Sequence, residues 1–253
     1  MTRGVRTILD ATVVAVFYTT VIAVATLVKS KASERMAKTW SADNPKAALM
    51  ERKRLLLLNA ARRAFLNAGY AEASVNHIAA DAGVSIKTLY RHFENKADLF
   101  AAVMQAACEE SAGAQAVGDA GSAPAWYALA PTKALQKAGE EYLRSILSAD
   151  QLALYRVAVR DAHRFPELGR LYREQTINSR YLKFVGYLEI CSTRENWKIK
   201  DRDLVTKVFA GLLKSHLFDE ALLGSPSPSE REIVEQARKA AAALLVLLGN
   251  GAL

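Results

Sequence analysis

The chain is expected to fold as an all-α protein, with an N-terminal three-helix helix-turn-helix unit and a larger helical domain after it. Three observations predict this. Apolar residues recur at helical spacing along most of the length, as in Leu204, Val205, Val208, Phe209, Leu212 and Leu213. Alternation of the kind a half-buried strand needs is scarce. The stretch Ser74 to Lys96 (SVNHIAADAGVSIKTLYRHFENK) reads as two short helices joined by a tight turn. At 253 residues there is room for a small domain plus a larger one.

Residues 1–45 form an N-terminal extension. Within it, Ala11 to Val28 (ATVVAVFYTTVIAVATLV) is an uncharged, β-branched run, preceded by Arg3 and Arg6 and followed by Lys29 and Lys31. Eighteen such residues reach the lower end of a membrane span, and four threonines weaken that reading. The basic start and apolar middle also resemble a signal peptide. Three readings stand: a true start at Met36, a membrane anchor, or an extra packing helix or strand.

The unit spanning residues 46–96 begins with a basic amphipathic helix, Arg52 to Gly69, whose expected core positions are Leu56, Ala60, Ala64 and Phe65. Ser74 caps the next helix with its short side-chain oxygen, and Val75, Ile78 and Ala79 face inward at i, i+3 and i+4. Gly83 ends that helix, because a residue without Cβ can enter the left-handed conformation the turn needs. Ser85 caps the following helix, where Leu89 and Phe93 point to the core. Its other side offers Ile86, Lys87, Thr88, Tyr90, Arg91 and His92. Donors, a hydroxyl, an apolar contact and cations on one helix face suit the major groove of double-stranded DNA. Ile86, Lys87, Thr88 and Arg91 are expected towards base edges, with Tyr90, His92 and Lys96 on the backbone. Ser74 and Ser85 can aim helix N-terminal amides at phosphates.

Charge agrees. The chain carries a net +8, and residues 46–96 hold nine Lys or Arg against four Asp or Glu, a local +5. Concentrated positive charge is what phosphate neutralisation requires, although a basic helical face can also be merely solvated.

The order of residues in this unit resembles the DNA-binding domain of the TetR family of transcriptional regulators. The resemblance rests on Ala64-Phe65, Gly69-Tyr70, Ile78-Ala79, Ala82-Gly83-Val84-Ser85, Thr88-Leu89-Tyr90, His92-Phe93, Lys96 and Leu99. Two positions depart from the family pattern. Lys87 stands where glycine is usual, and Ala73 where threonine or serine is frequent. Ser74 can still cap, but a flexible cation at the groove means that no known operator sequence carries over.

Residues 97–253 read as a helical effector-binding and dimerisation domain. Asn95 caps a helix starting at Lys96, and the small-residue stretch Ser111 to Ala125 is the expected flexible connection. Pro131 to Leu147 follows helical spacing. Asp150 is the expected cap of a helix through Ala162, and Pro166 opens a long helix to about Cys191. The run Asp161 to Glu174 (DAHRFPELGRLYRE) resembles the ligand domain of the AefR-like subgroup. The stripe ending at Leu213 is separated by Gly224 and the turn Ser225-Pro226-Ser227-Pro228-Ser229 from another, containing Ile233, Val234, Ala237, Ala241, Leu244, Leu245 and Leu248.

The resemblance implies that these last two helices meet those of a second copy. The expected interface positions are Val208, Leu212, Val234, Ala241 and Leu245; filling of the protomer's own core is the alternative. A two-fold dimer would present two recognition helices one DNA turn apart, matching a pseudo-palindromic site. Tyr155, Asp161, His163, Phe165, Tyr181 and Phe184 are the candidate lining of a pocket for an unknown small-molecule effector, with plain core packing as the competing reading. No catalytic residue, metal site or cofactor is expected. There is no phosphate-cradling glycine loop, no paired-histidine metal spacing and no nucleophile elbow. Cys108 and Cys191 are isolated, which fits a reducing cytoplasm. The expected function is a cytoplasmic, homodimeric, ligand-relieved repressor. The alternatives are an architectural DNA-binding protein without an effector, or a membrane-anchored regulator.

Overall fold

The computed structural model describes residues 45–113, 124–195 and 197–251. The run Ala11 to Val28 and most of the Ser111 to Ala125 connection lie outside them. Among the described residues the fold is all-helical. Ten α-helices follow in order: α1 (Pro45–Glu72), α2 (Val75–Asp81), α3 (Ile86–His92), α4 (Lys96–Gly113), α5 (Pro131–Ile146), α6 (Ala149–Asp161), α7 (Pro166–Tyr172), α8 (Asn178–Arg194), α9 (Arg202–Leu222) and α10 (Glu230–Gly249). A 3₁₀ turn, Ala125–Ala128, precedes α5.

The helix ends have local causes. Ser74 Oγ accepts from His77 N and Ser85 Oγ from Thr88 N, the expected caps of α2 and α3. Gly83 turns between them at φ 66°. Asn95 Oδ1 accepts from Asp98 N at the start of α4. α10 opens with a reciprocal box, Ser229 Oγ accepting from Glu232 N and the Glu232 carboxylate from Ser229 N.

Several expectations shift. α1 starts at Pro45 rather than Arg52. Its inward face carries Leu57, Ala60, Ala61 and Phe65, whereas Leu56 is 44 % exposed. In a run of four leucines, periodicity alone does not fix which one faces in. The cap of α6 is Ser148, whose Oγ accepts from Gln151 N. Asp150 instead sits in the first turn, paired with Arg62 of α1. The expected long helix after Pro166 is α7 and α8, joined by a π-helical turn, Arg173–Ile177.

Two apolar clusters organise the molecule. The first joins α1 to α4, with Phe65, Ile78, Leu89, Phe93, Leu99, Phe100 and Met104, and takes in Leu154 and Val157 of α6 and Leu168 of α7. The N-terminal unit is therefore built partly on the helices that follow it. The second cluster joins α5 and α8 to α10 around Leu135, Leu143, Tyr187, Phe209, Ala237 and Leu244. α10 lies closest to α5, where Gly139 faces Ala237 and a Cβ at 139 would come within 3.2 Å of the Ala237 Cβ. Glu140 on the same helix is 1 % exposed and is bonded by Gln136, Lys137 and Arg144, and Arg144 reaches on to Glu230 of α10. Burial alone would raise the Glu140 pKa; its three donors hold it below the usual carboxylate range.

Candidate nucleic-acid interface

α3 rests on Leu89, which is fully buried, and on Phe93 at its C-cap. A seven-residue helix has no stability of its own, so its place is set by packing against α2 and the α1 core. Leu89 and Phe93 fix its rotation. The opposite side is then solvent-facing: Ile86, Lys87, Tyr90 and Arg91 are exposed at i, i+1, i+4 and i+5, and Thr88 is half-buried with Oγ1 2.9 Å from Ser85 Oγ. These positions share one face at 3.6 residues per turn. Two cations, a hydroxyl and two apolar surfaces thus lie together on a helix narrow enough for a major groove. Ser74 and Ser85 each cap their own helix, accepting from His77 N and Thr88 N.

Two of the expected backbone contacts have other surroundings. Lys96 Nζ donates to Ala71 O at 2.9 Å and lies 4.8 Å from the centre of the Tyr70 ring. Its ammonium ties α4 to the end of α1, and burial lowers its pKa against the pull of Glu72 and Asp161. His92 is half-buried, with Nε2 enclosed and, among the described residues, without a hydrogen-bond partner. Burial, reinforced by Arg91, Arg54 and Lys53, lowers its pKa, so this imidazole is disfavoured as a cation for phosphate.

The six residues expected to line an effector pocket do not come together. Tyr155 meets Tyr172 and Phe218 edge-on at 5.2 and 5.5 Å, an aromatic trio across α6, α7 and α9. Phe184 stacks on Phe209 within the second cluster. Tyr181 lies beside Asp203, His163 is exposed on the α6–α7 corner, and Phe165 packs edge-on against Tyr70 of the first cluster. Asp161 is buried, and its Oδ2 accepts from the backbone N–H groups of Tyr70 and Ala71 at 2.8 and 3.3 Å. Nothing in the sequence pointed to that last contact, which joins residues 91 positions apart.

Arg160 binds the same carboxylate, through Oδ1 and Oδ2. These bonds, with those from Tyr70 and Ala71, hold the Asp161 pKa below its ordinary value although burial pushes it up. A carboxyl depressed in the folded state contributes stability above its unfolded pKa of about 3.9, and that contribution is lost as pH falls through the folded value. The wild-type melting temperature is therefore expected to exceed that of D161N at neutral pH, with the gap closing below about pH 4. Thermal melts of both proteins from pH 7 to pH 3 check this; a gap that stays constant contradicts it.

The expected interface residues divide. Ala241 is 1 % exposed and belongs to the protomer core, because the inner face of α10 runs through Ile233, Ala237, Ala240, Ala241, Leu244 and Leu248. Val208, Leu212, Val234 and Leu245 are half-buried, and beside them Leu204, Ala242 and Val246 are exposed on the outer face of α9 and α10. An open groove between these helices is lined by Gly211, Leu212, Ser215, Gln236, Lys239, Ala240 and Ala243. There α9 departs from helical geometry at Ser215 (φ 41°), and Gln236 Nε2 donates to Leu212 O at 2.6 Å.

Among the described residues no group of His, Cys, Asp or Glu is arranged to hold a metal ion, and no helix is long and apolar enough to cross a membrane.

Two family models match parts of the chain. Residues 57–103 match the family model described as bacterial regulatory proteins, tetR family, and residues 133–248 match that of the C-terminal domain of AefR-like transcriptional repressors. A protein of Mesorhizobium loti assigned to the TetR family of transcriptional regulators is similar in structure, with a TM-score of 0.65, at 23 % identity over 78 % of this chain and 97 % of that one. The flavonoid-responsive regulator FrrA is similar at 26 % identity over 78 % of this chain and 96 % of its own, with a TM-score of 0.64. A TetR transcriptional regulator from Agrobacterium tumefaciens gives 26 % identity, the same share of this chain, 93 % of its own and a TM-score of 0.60.

Proposed function

Since the chain belongs to the TetR family of DNA-binding transcriptional regulators, and so is not an enzyme, we propose that it is a homodimeric repressor in which α3 reads a pseudo-palindromic operator. The observation that carries this reading is the exposed face of α3, with Ile86, Lys87, Tyr90 and Arg91 turned outward by the buried Leu89. Lys87 and Arg91 supply donors for base edges or phosphates, Thr88 a hydroxyl, and Ile86 an apolar contact for a thymine methyl group. Tyr90 is suited to the backbone, with the capped N-termini behind Ser74 and Ser85. Lys96 serves in this reading to set the angle of α4 rather than to neutralise phosphate.

The outer face of α9 and α10 supports pairing with a second copy, since Leu204 and Val246 are exposed there and Val208, Leu212 and Val234 are half-buried beside them. An effector binding the domain formed by α5 to α10 would lower the DNA-competent fraction if it favours the other posture of that domain. The similarity to a regulator named for its response to flavonoids supports an apolar, aromatic effector. The place of action is the cytoplasm, where the DNA is.

The test is the substitution Lys87→Ala, read by competition among DNA sites. A base-reading Lys87 predicts a changed ranking of sites, by about five- to a hundredfold at one base position. Equal weakening of every site, with a flatter salt dependence, would make Lys87 a phosphate contact instead.

A further inference from the structure

We propose that Asp161 is the positioning residue through which the C-terminal helices hold the DNA-binding unit in register. The proposal rests on the DNA-reading role of α3 and names the link that governs it. α1 breaks at Gly69 (φ 80°, ψ 178°), and the chain makes a short turn before Ser74 caps α2. Everything that faces DNA follows this turn.

The turn is held from two sides. From α6, Asp161 Oδ2 takes the N–H groups of Tyr70 and Ala71, and Phe165 just beyond packs on the Tyr70 ring at 5.1 Å. From α4, Lys96 Nζ donates to Ala71 O, and Phe100 meets the same ring at 5.5 Å. Besides Arg160, Lys96 interacts with the carboxylate, with Glu72 acting in turn on Lys96 and Glu167 on Tyr70.

A carboxylate suits this place because two adjacent amides, one buried and one part-buried, need an acceptor, and a charged acceptor binds them about twice as strongly as a neutral one. Arg160 orients it: its Nε lies 3.1 Å from Oδ1 and its Nη2 3.2 Å from Oδ2. Asp161 is also the last residue of α6, a helix that carries Tyr155 of the aromatic trio about 9 Å away at 1.5 Å per residue. A shift of Asp161 by about 1 Å directed along this bond, away from Tyr70, would take the 2.8 Å contact past hydrogen-bonding distance. The posture of the N-terminal unit would then be released without unfolding it.

The experiment compares full-length wild type with Asp161→Asn and Asp161→Ala, and with Glu140→Gln as a control at another buried carboxylate. Circular dichroism sets a temperature at which all are folded. Amide exchange is followed in peptides covering residues 66–75, 78–90 and 99–104, and binding is measured to a labelled duplex that wild type enriches from sheared genomic DNA.

The expected result for D161N is exchange at Tyr70 and Ala71 faster by about tenfold, with residues 99–104 unchanged and DNA binding weaker by about tenfold. D161A should exceed it in both. E140Q should lower the melting temperature and leave both readouts alone. D161N with wild-type affinity for the duplex overturns the positioning role, whether or not its amides open. Wild type that binds no duplex overturns the DNA-reading premise, and the proposal with it.

Discussion

Phe65→Ala is expected to destabilise the protein by about 4 kcal/mol, within the range for truncating a fully buried phenylalanine. Phe65 has no exposed surface and sits where α1, α2 and α4 converge. Its ring stacks on Tyr70 at 5.9 Å and meets Phe100 edge-on at 5.0 Å, so alanine removes two aromatic contacts as well as the side-chain volume. The same cluster includes Leu154 and Val157 of α6, which ties the loss to both parts of the molecule. Denaturant unfolding checks the size. Leu56→Ala nearby should move the midpoint little, within about 0.5 kcal/mol, because Leu56 faces solvent. Equal losses at the two positions would show that α1 is rotated relative to the face described.

The second large effect is expected at Gly69. Its backbone lies at φ 80° and ψ 178°, a region open almost only to glycine. A Cβ there would also fall 1.2 Å from Arg160 Nη2, so the guanidinium would have to leave. Gly69→Ala is therefore expected to cost about 3 kcal/mol, combining strain of this kind with a disturbed Arg160–Asp161 pair. Gly83 is the comparison. It too has positive φ, 66°, but among the described residues a Cβ there meets nothing within 4 Å. Gly83→Ala should cost about 1 kcal/mol from the left-handed conformation alone. Melting temperatures of the two variants test the difference. If Gly69→Ala is no worse than Gly83→Ala, the close approach of Arg160 carries no weight.

What was legible in the sequence is mostly local. Ser74, Gly83, Ser85 and Asn95 act within three or four residues of their own position, and each sits where its chemistry predicted. The exposed face of α3 followed from the same short range, because Leu89 and Phe93 fix its rotation. Long-range arrangements were not legible. Asp161 was counted among the pocket residues, yet its carboxylate accepts from backbone amides in α1. Phe165 was counted among pocket residues but packs in the N-terminal cluster, since the α6–α7 corner folds back onto α1. Ala241 and Val246 show the limit of a wide apolar stripe. α10 is apolar around more than half its circumference, so periodicity could not separate the core side from the outer side. The bond from Lys96 to Ala71 O crosses 25 residues and has no sequence signature, whereas the family motif favoured a contact with DNA.

The most direct test of sequence-specific reading by a paired α3 is selection of genomic DNA fragments on the full-length protein, followed by sequencing. The account predicts one enriched pseudo-palindromic site, with half-sites about one helical turn of DNA (10–10.5 base pairs) or a multiple apart. Salt-sensitive retention of fragments with no enriched sequence would contradict it, and would leave an architectural DNA-binding protein in its place.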